Sequence, residues 1–358
     1  MDFRGRQKNL SELLERHKVD ALLVTHLPNV YYLCGFTGTA GMLLAARRPV
    51  FFTDGRYSAQ AAAQLQGARL SIARGGTLAA VAATCVKLGL KRVAIESERL
   101  TVAQLDVFSK ALGKSVKVIR LAGAVEQLRA VKDAEEIELL RAAVELSSKL
   151  FRPLLRTLRA GTAELAVAAR LEYMARRAGA DGMSFNSIIA SAQRSALPHG
   201  VATAAKLPST GFVVLDYGVV IKGYCSDMTR TIHLGKAPVE ARAIYDAVLE
   251  AQLAAISMVR PGVTAGEIDR AARQQLKRAK LDRFFTHSTG HGVGLEIHEL
   301  PRLSAGNDAN LKAGMVITVE PGVYLPGKCG VRIEDMLLVT GRGYEVLTPV
   351  SKKLIELY

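Results

Sequence analysis

Four acidic residues sit where the chain otherwise writes buried β-strand. Asp216 lies in GFVVLDYG, Asp227 in YCSDMTRTIHL, Glu320 in GMVITVEPG and Glu334 in GVRIEDMLLV. Asp is depleted in strands, and acidic residues are almost never fully buried unless something pairs with them. One would be an ordinary buried ion pair; four demand a cation. The spacing predicts how they meet. Asp216 and Asp227 are centred between Ile221 and Lys222, just before Gly223. A hairpin turning there sets them directly opposite, with Cβ atoms about 4.5–5.5 Å apart. Glu320 and Glu334 are centred on Gly327 in Pro326-Gly327-Lys328, a turn by composition. That gives a second opposed pair. Like charges this close would protonate or unfold the site unless metal lies between them. Two divalent ions neutralise four carboxylates, and hydrolases use ions about 3.5–4 Å apart to activate one shared water.

Such a site wants a nitrogen ligand, and His291 in STGHGVGLEIHE is the candidate. Glycines at 290, 292 and 294 let backbone approach a ligand closely and disfavour a helix. The segment is neither a nucleotide loop nor a zincin. It lacks the third glycine of GxGxxG, and Pro301 after His298-Glu299 denies the helix that HExxH requires.

The rest of the chain supplies two domains, as 358 residues suggest at roughly 150 per domain. Residues 19–25, 40–46, 49–54, 91–96 and 115–119 read as strands. Residues 56–66, 77–88 and 101–112 read as helices, the last two capped by Thr77 and Thr101. Strand–helix alternation predicts an α/β domain over 1–122, followed by a linker over 123–133. Helices are expected near 134–158, 162–178, 238–259 and 264–280. With the hairpin-like strands around them, residues 134–358 form an α+β domain with a largely antiparallel sheet. A polar amphipathic helix opens the chain, with Leu10, Leu13 and Leu14 on one side. It has no secretory-signal pattern, and no apolar run is long enough to span a membrane. The cytoplasm is the expected address. Four widely spaced cysteines suit neither a zinc ribbon nor a disulfide scaffold, and read as reduced.

Together LDYG, YCSDMTRT, STGHGVGLEIHE, VEPGVY and GVRIED resemble the metal-binding motifs of the pita-bread metallopeptidases. The subgroup they resemble is the proline-specific one, the Xaa-Pro dipeptidases (prolidases) and Xaa-Pro aminopeptidases. YYLCGFTGT and FFTDGRY are similar to the creatinase-type N-terminal domain, and RAVKDAEEIELLRAA to the family's interdomain helix. The resemblance spans essentially the whole chain. It implies a creatinase-like α/β domain, then a pita-bread catalytic domain with a curved, largely antiparallel sheet. It implies two divalent ions, Mn²⁺ first, with Co²⁺ or Zn²⁺ as alternatives. Asp216 would bind one ion, His291 with Glu320 the other, and Asp227 and Glu334 both. Glu320 would also shuttle a proton. His199 in SALPHG and His298 in IHE match histidines that hold substrate, Arg332 would share the Glu334 face, and Tyr224 matches a tyrosine near the bridging Asp. His17, His26, His233 and His287 match no ligand position and read as structural or surface residues.

The resemblance implies a short proline-containing peptide as substrate. Selection for short chain ends further predicts a homodimer in which the N-terminal domain helps to close the site; the apolar-aromatic segment 30–42 either lines that boundary or forms a buried strand and turn within the N-terminal core. Methionine aminopeptidases share the ligands, but an N-terminal α/β domain argues against them. Creatinase shares both domains yet works without metal, and a non-catalytic relative should have lost a ligand. The net charge of +15 raises nucleic-acid binding, with Arg270, Arg273, Lys277, Arg278, Lys280 and Arg283 as the densest basic stretch. No helix-turn-helix, zinc-finger or RNP motif accompanies them, and a solvated helix face explains them better. Whether the substrate is a dipeptide or a longer chain end stays open. Between His298 and Glu320 only Arg302 and Lys312 could meet a proline carboxylate.

Overall fold

Leu10, Leu13 and Leu14 all turn inward from the first helix, α1 (Phe3–Arg16), where Asp2 accepts from Gly5 N to cap it. A computed structural model describes the chain from Met1 to Tyr358, in two units, Met1–Arg129 and Ala130–Tyr358.

The first unit continues with β1 (Ala21–Val24), α2 (Leu27–Cys34), β2 (Met42–Ala46), β3 (Val50–Thr53), α3 (Ser58–Gln64) and β4 (Arg69–Ile72). It ends with α4 (Thr77–Lys87), β5 (Arg92–Glu96), α5 (Val102–Leu112), β6 (Lys117–Leu121) and α6 (Ala124–Arg129). Its single sheet has the order β4-β3-β2-β1-β5-β6. The β1–β2–β3 centre is antiparallel, while β4, β5 and β6 join in parallel. Thr101 caps α5 in a reciprocal capping box with Gln104. Thr77 does not cap: Gly76 holds that position, and Thr77 is the first helical residue. Segment 30–42 contains most of α2, and Val30, Tyr32, Leu33, Cys34 and Phe36 are buried in the first unit. Glu96 anchors that helix by accepting from Thr25 N at 2.6 Å and His26 N at 2.9 Å.

The second unit opens with α7 (Ala134–Leu155), capped by an Asp133–Glu136 box, and α8 (Glu164–Arg177). β7 (Gly182–Met183), β8 (Ile188–Ser191), β9 (Gly211–Tyr217), β10 (Val219–Ile221), β11 (Tyr224–Cys225) and β12 (Met228–Leu234) follow. Next come α9 (Val239–Ser257), α10 (Ala265–Arg278), β13 (Gly290–Gly292), β14 (Glu299–Leu303) and β15 (Val316–Val319). β16 (Gly322–Leu325), β17 (Cys329–Arg332), β18 (Asp335–Val339), β19 (Tyr344–Val346) and β20 (Glu356–Leu357) complete it. Pairing is antiparallel throughout except for β12 with β20. One apolar cluster packs α9 and α10 against Ile317, Val319, Ile333 and Leu337. A second packs α7 and α8 against Val213, Leu215 and Ile232. The acidic strands thus have helices on the apolar face and carboxylates on the other. No helix is long and apolar enough to cross a membrane.

Candidate metal centre

The second hairpin has the register its spacing predicts. Val319 pairs with Asp335 and Gly322 with Arg332, so Glu320 lies opposite Glu334. The first hairpin is displaced. Asp216 pairs with Thr229, not Asp227. The turn explains the offset. Lys222 and Gly223 take φ of 48° and 83°, so the two-residue loop is centred on them, and Ile221 pairs with Tyr224. Such a loop needs positive φ at both central residues, which a β-branched Ile221 resists. Centring on Ile221–Lys222 was therefore wrong by one residue, and the pairing by two. A two-residue slip preserves the face, so Asp227 and Asp216 still share one side as diagonal neighbours.

Asp227, His291 and Glu334 bring ligand atoms within 4.8 Å of one another. His291 Nε2 lies 3.2 Å from Glu320 Oε1 and 3.7 Å from Asp227 Oδ2. Its Nδ1 is 3.0 Å from the Gly292 carbonyl, an arrangement that assigns the ring proton there and frees Nε2 for a ligand. Backbone packing delivers the histidine. A Cβ on Gly290 would stand 2.0 Å from the Thr318 carbonyl oxygen, and one on Gly292 2.1 Å from that of Leu300. These glycines admit neighbouring strands, not a ligand. His291 N then donates to Thr318 Oγ1 at 3.0 Å.

Asp216, Asp227 and Glu334 are all buried. Asp216 Oδ1, Asp227 Oδ1 and Glu334 Oε1 have no hydrogen-bond partner. Burial first, then the neighbouring carboxylates, pushes Asp227 and Glu334 well above the usual carboxylate range. Burial also raises Asp216, against the opposing pull of Arg332. Glu320 goes the other way. Burial resists its charge, but the hydrogen bond and charge of His291 prevail, and its pKa falls to about 2. The same contact raises His291 against the effect of its own burial. Burial and mutual repulsion thus favour the neutral carboxyls of Asp227 and Glu334 over their charged forms. Orphaned buried oxygens beside the His291 Nε2 are the donor set that divalent ions complete.

Arg332 donates through Nη2 to Asp216 Oδ2, through Nε to Thr229 Oγ1 at 3.1 Å, and through Nη1 to Tyr324 OH at 2.6 Å and the Pro198 carbonyl at 3.0 Å. Thr229 Oγ1 donates to Glu334 Oε2 at 2.7 Å. His298 stacks edge-on against His291 with ring centroids 4.4 Å apart. His199 is exposed, and it directly follows Pro198, whose carbonyl accepts from Arg332 Nη1. Tyr224 is turned elsewhere. It is fully buried, and its hydroxyl donates to Glu136 at 3.0 Å on α7.

Sequence reasoning missed four residues here. His287, read as structural or surface, has Nε2 2.9 Å from Tyr324 OH, and burial lowers its pKa although Glu320 pulls it upward. Tyr324 is pushed up to about 12 by burial and therefore stays protonated. Thr229 and Thr318 orient Glu334 and His291. Alternation gave a signal for Thr229, two residues beyond Asp227, and for Thr318, two before Glu320. In the basic stretch, Arg273 faces inward. It donates to Asp269 and to the carbonyls of Phe285 and His287, leaving one cation fewer for phosphate.

Residues 138–341 match the model of metallopeptidase family M24, and residues 6–131 that of the creatinase/prolidase N-terminal domain. An Xaa-Pro dipeptidase from Pyrococcus horikoshii is 35% identical over 351 residues, which cover 97% of this chain and 98% of that one. An Xaa-Pro dipeptidase structure from Bacillus anthracis is 39% identical with a TM-score of 0.96, covering 99% of this chain and 100% of that one. An X-Pro aminopeptidase structure from Thermotoga maritima is 36% identical with a TM-score of 0.88, covering 96% and 99%. Matches over both units, at these identities, make the chain a member of metallopeptidase family M24 that carries the creatinase/prolidase N-terminal domain.

Proposed function

We propose that the protein is a dinuclear-metal peptidase that hydrolyses the bond before proline, with Xaa-Pro dipeptides as its substrates. One observation carries the reading: three buried carboxylates keep oxygens without partners, and two of them, Asp227 and Glu334, gather ligand atoms with His291 within 4.8 Å. Asp216 would hold one ion, His291 and Glu320 the other, and Asp227 and Glu334 both. The carboxylate-rich set suits Mn²⁺ first, then Co²⁺ or Zn²⁺. Bound there, the ions supply a Lewis acid for the scissile carbonyl and a water of lowered pKa.

The chain's own groups do the rest. A proline nitrogen leaves readily only once protonated, so the reaction needs a proton carrier. Glu320, held ionised beside His291, accepts the proton of the attacking water and delivers it to that nitrogen. His298 and His199 donate hydrogen bonds to the carbonyl oxygen as it gains charge. Arg332 fixes Asp216 and spreads its fork over Tyr324 and Pro198, so the ligand keeps one orientation.

The test adds Mn²⁺, Co²⁺ or Zn²⁺ to metal-free protein and compares Xaa-Pro dipeptides with Xaa-Pro-Xaa tripeptides. Faster dipeptide turnover is expected. A tripeptide preference would move the reading to an aminopeptidase, which the Thermotoga maritima likeness favours. The assembly we propose is a homodimer, with sedimentation as its measurement. The four free cysteines, three of them buried, fit a reducing cytoplasm.

A further inference from the structure

Glu164, the first residue of α8, is wholly buried and takes no part in the carboxylate cluster. Its two oxygens receive five donors. Ser191 N and Oγ reach Oε1 at 2.9 and 2.8 Å. Thr203 N and Oγ1 reach Oε2 at 3.2 and 3.0 Å, and Arg194 Nε reaches the same oxygen at 3.0 Å. Those donors stand at the two ends of one segment, 191–203, with His199 between them. Burying a carboxylate is expensive unless it is paired and fully hydrogen-bonded. Here one cation and four neutral donors meet that requirement.

The segment held this way docks on the strand that carries Arg332. Gly330 N donates to Ser195 Oγ at 2.8 Å, and Arg332 Nη1 donates to the Pro198 carbonyl, next to His199, at 3.0 Å. Within the segment Arg194 Nη2 also donates to the Val201 carbonyl at 2.8 Å, and Ala192 takes a positive φ of 51°. A non-glycine residue stays there only when its surroundings impose it. Ala192 follows Ser191, which is tied to Glu164 through both N and Oγ, and its own carbonyl accepts from Ser195 Oγ at 2.5 Å.

We infer that Glu164 is a positioning residue: it clamps residues 191–203 so that His199 and the Pro198 carbonyl meet the Asp216–Arg332 side of the site. The inference rests on the proposed peptidase reading only for the consequence of the clamp, since the clamp can be read without turnover. Gln is the sharpest substitution, because its amide keeps one acceptor oxygen but sets an NH2 either against Ser191 or against Arg194 and Thr203, which already donate.

The experiment combines Glu164→Gln with His199→Ala in a double-mutant cycle on the full chain, following kcat and KM on an Xaa-Pro dipeptide, with amide exchange of residues 192–202. Glu164→Gln should lower kcat about ten- to a hundredfold and leave the metal content unchanged. In the His199→Ala background the same change should cost less than about threefold. Amides of 192–202 should exchange faster while those of β9 and β12 keep their protection. An equal factor in both backgrounds, or unchanged exchange, overturns the inference. Should Glu164→Gln fail to fold, Ser191→Ala and Thr203→Val each remove one hydroxyl donor to Glu164 and, with proportionately smaller losses, are held to the same cycle. If the wild-type protein hydrolyses no Xaa-Pro peptide, the function reading fails, and the exchange arm still decides whether the clamp exists.

Discussion

Thr229 stands opposite Asp216 across β9 and β12 while its hydroxyl donates to Glu334 at 2.7 Å on the other hairpin. One small side chain thus sits between the two carboxylate pairs and sets their separation. Arg332 Nε donates to the same hydroxyl oxygen at 3.1 Å, so Thr229 both gives and receives.

Thr229→Val keeps the shape and removes both bonds. It should destabilise the protein by about 1–3 kcal/mol, because a buried carboxylate oxygen and a guanidinium nitrogen lose their partner. Metal affinity should fall about 10- to 100-fold, as it does when a residue orienting a ligand is lost. Thr229→Ser should restore most of both. Titration calorimetry with Mn²⁺ reads the affinity, and a Ser variant as weak as Val contradicts the assignment.

Asp227→Asn should abolish turnover with little loss of fold. Asp227 is raised by burial and by the Glu334, Asp216 and Glu320 charges, so an amide, neutral without binding a proton, removes that penalty from the metal-free cluster. The metal-free variant should melt at or above the wild-type temperature, yet gain less when Mn²⁺ is added. Retention of two tightly bound ions and near-normal turnover would show that Asp227 bridges nothing.

Arg332→Met leaves Asp216 buried and unpaired, a change that typically costs about 3–5 kcal/mol. Arg332→Lys keeps the charge but not the fork that spans Asp216, Thr229, Tyr324 and Pro198. Denaturant melts should therefore rank wild type above Lys and Lys above Met. Lys equal to wild type in both stability and kcat would mean that only the charge matters.

Much of this was legible because strand chemistry is strict. Acidic residues at Asp216, Asp227, Glu320 and Glu334 break an apolar pattern that alternation otherwise explains, and Gly327 in its Pro-Gly-Lys turn fixed the second register. The first register failed by two residues because turn centring depends on which residues tolerate positive φ, and Gly223 takes the central place that a symmetric Asp pair would assign to Ile221. α2 was missed although Pro28 at its first turn and Gly35 after its end are start and stop signals. Eight residues rich in aromatic and β-branched side chains gave too little helical periodicity to outweigh a strand reading. His287 was missed because its role depends on Tyr324 and Arg332, which come from another hairpin, and no local pattern reports such a meeting.

Metal removal tests the cluster as a whole. Stripping the protein should lower its melting temperature, since three buried carboxylates are then left with oxygens that have no partner. Restoring Mn²⁺ at about 100 times its Kd should return about 2.7 kcal/mol for one site, more if both fill. A melting temperature indifferent to every divalent ion would remove the metal from the account.

The most direct test loads metal-free protein with increasing Mn²⁺ and follows bound ions per chain together with hydrolysis of an Xaa-Pro dipeptide. The account predicts saturation at two ions and activity that rises to its maximum as the second site fills. Two bound ions with no hydrolysis of any Xaa-Pro substrate under Mn²⁺, Co²⁺ or Zn²⁺ would contradict it.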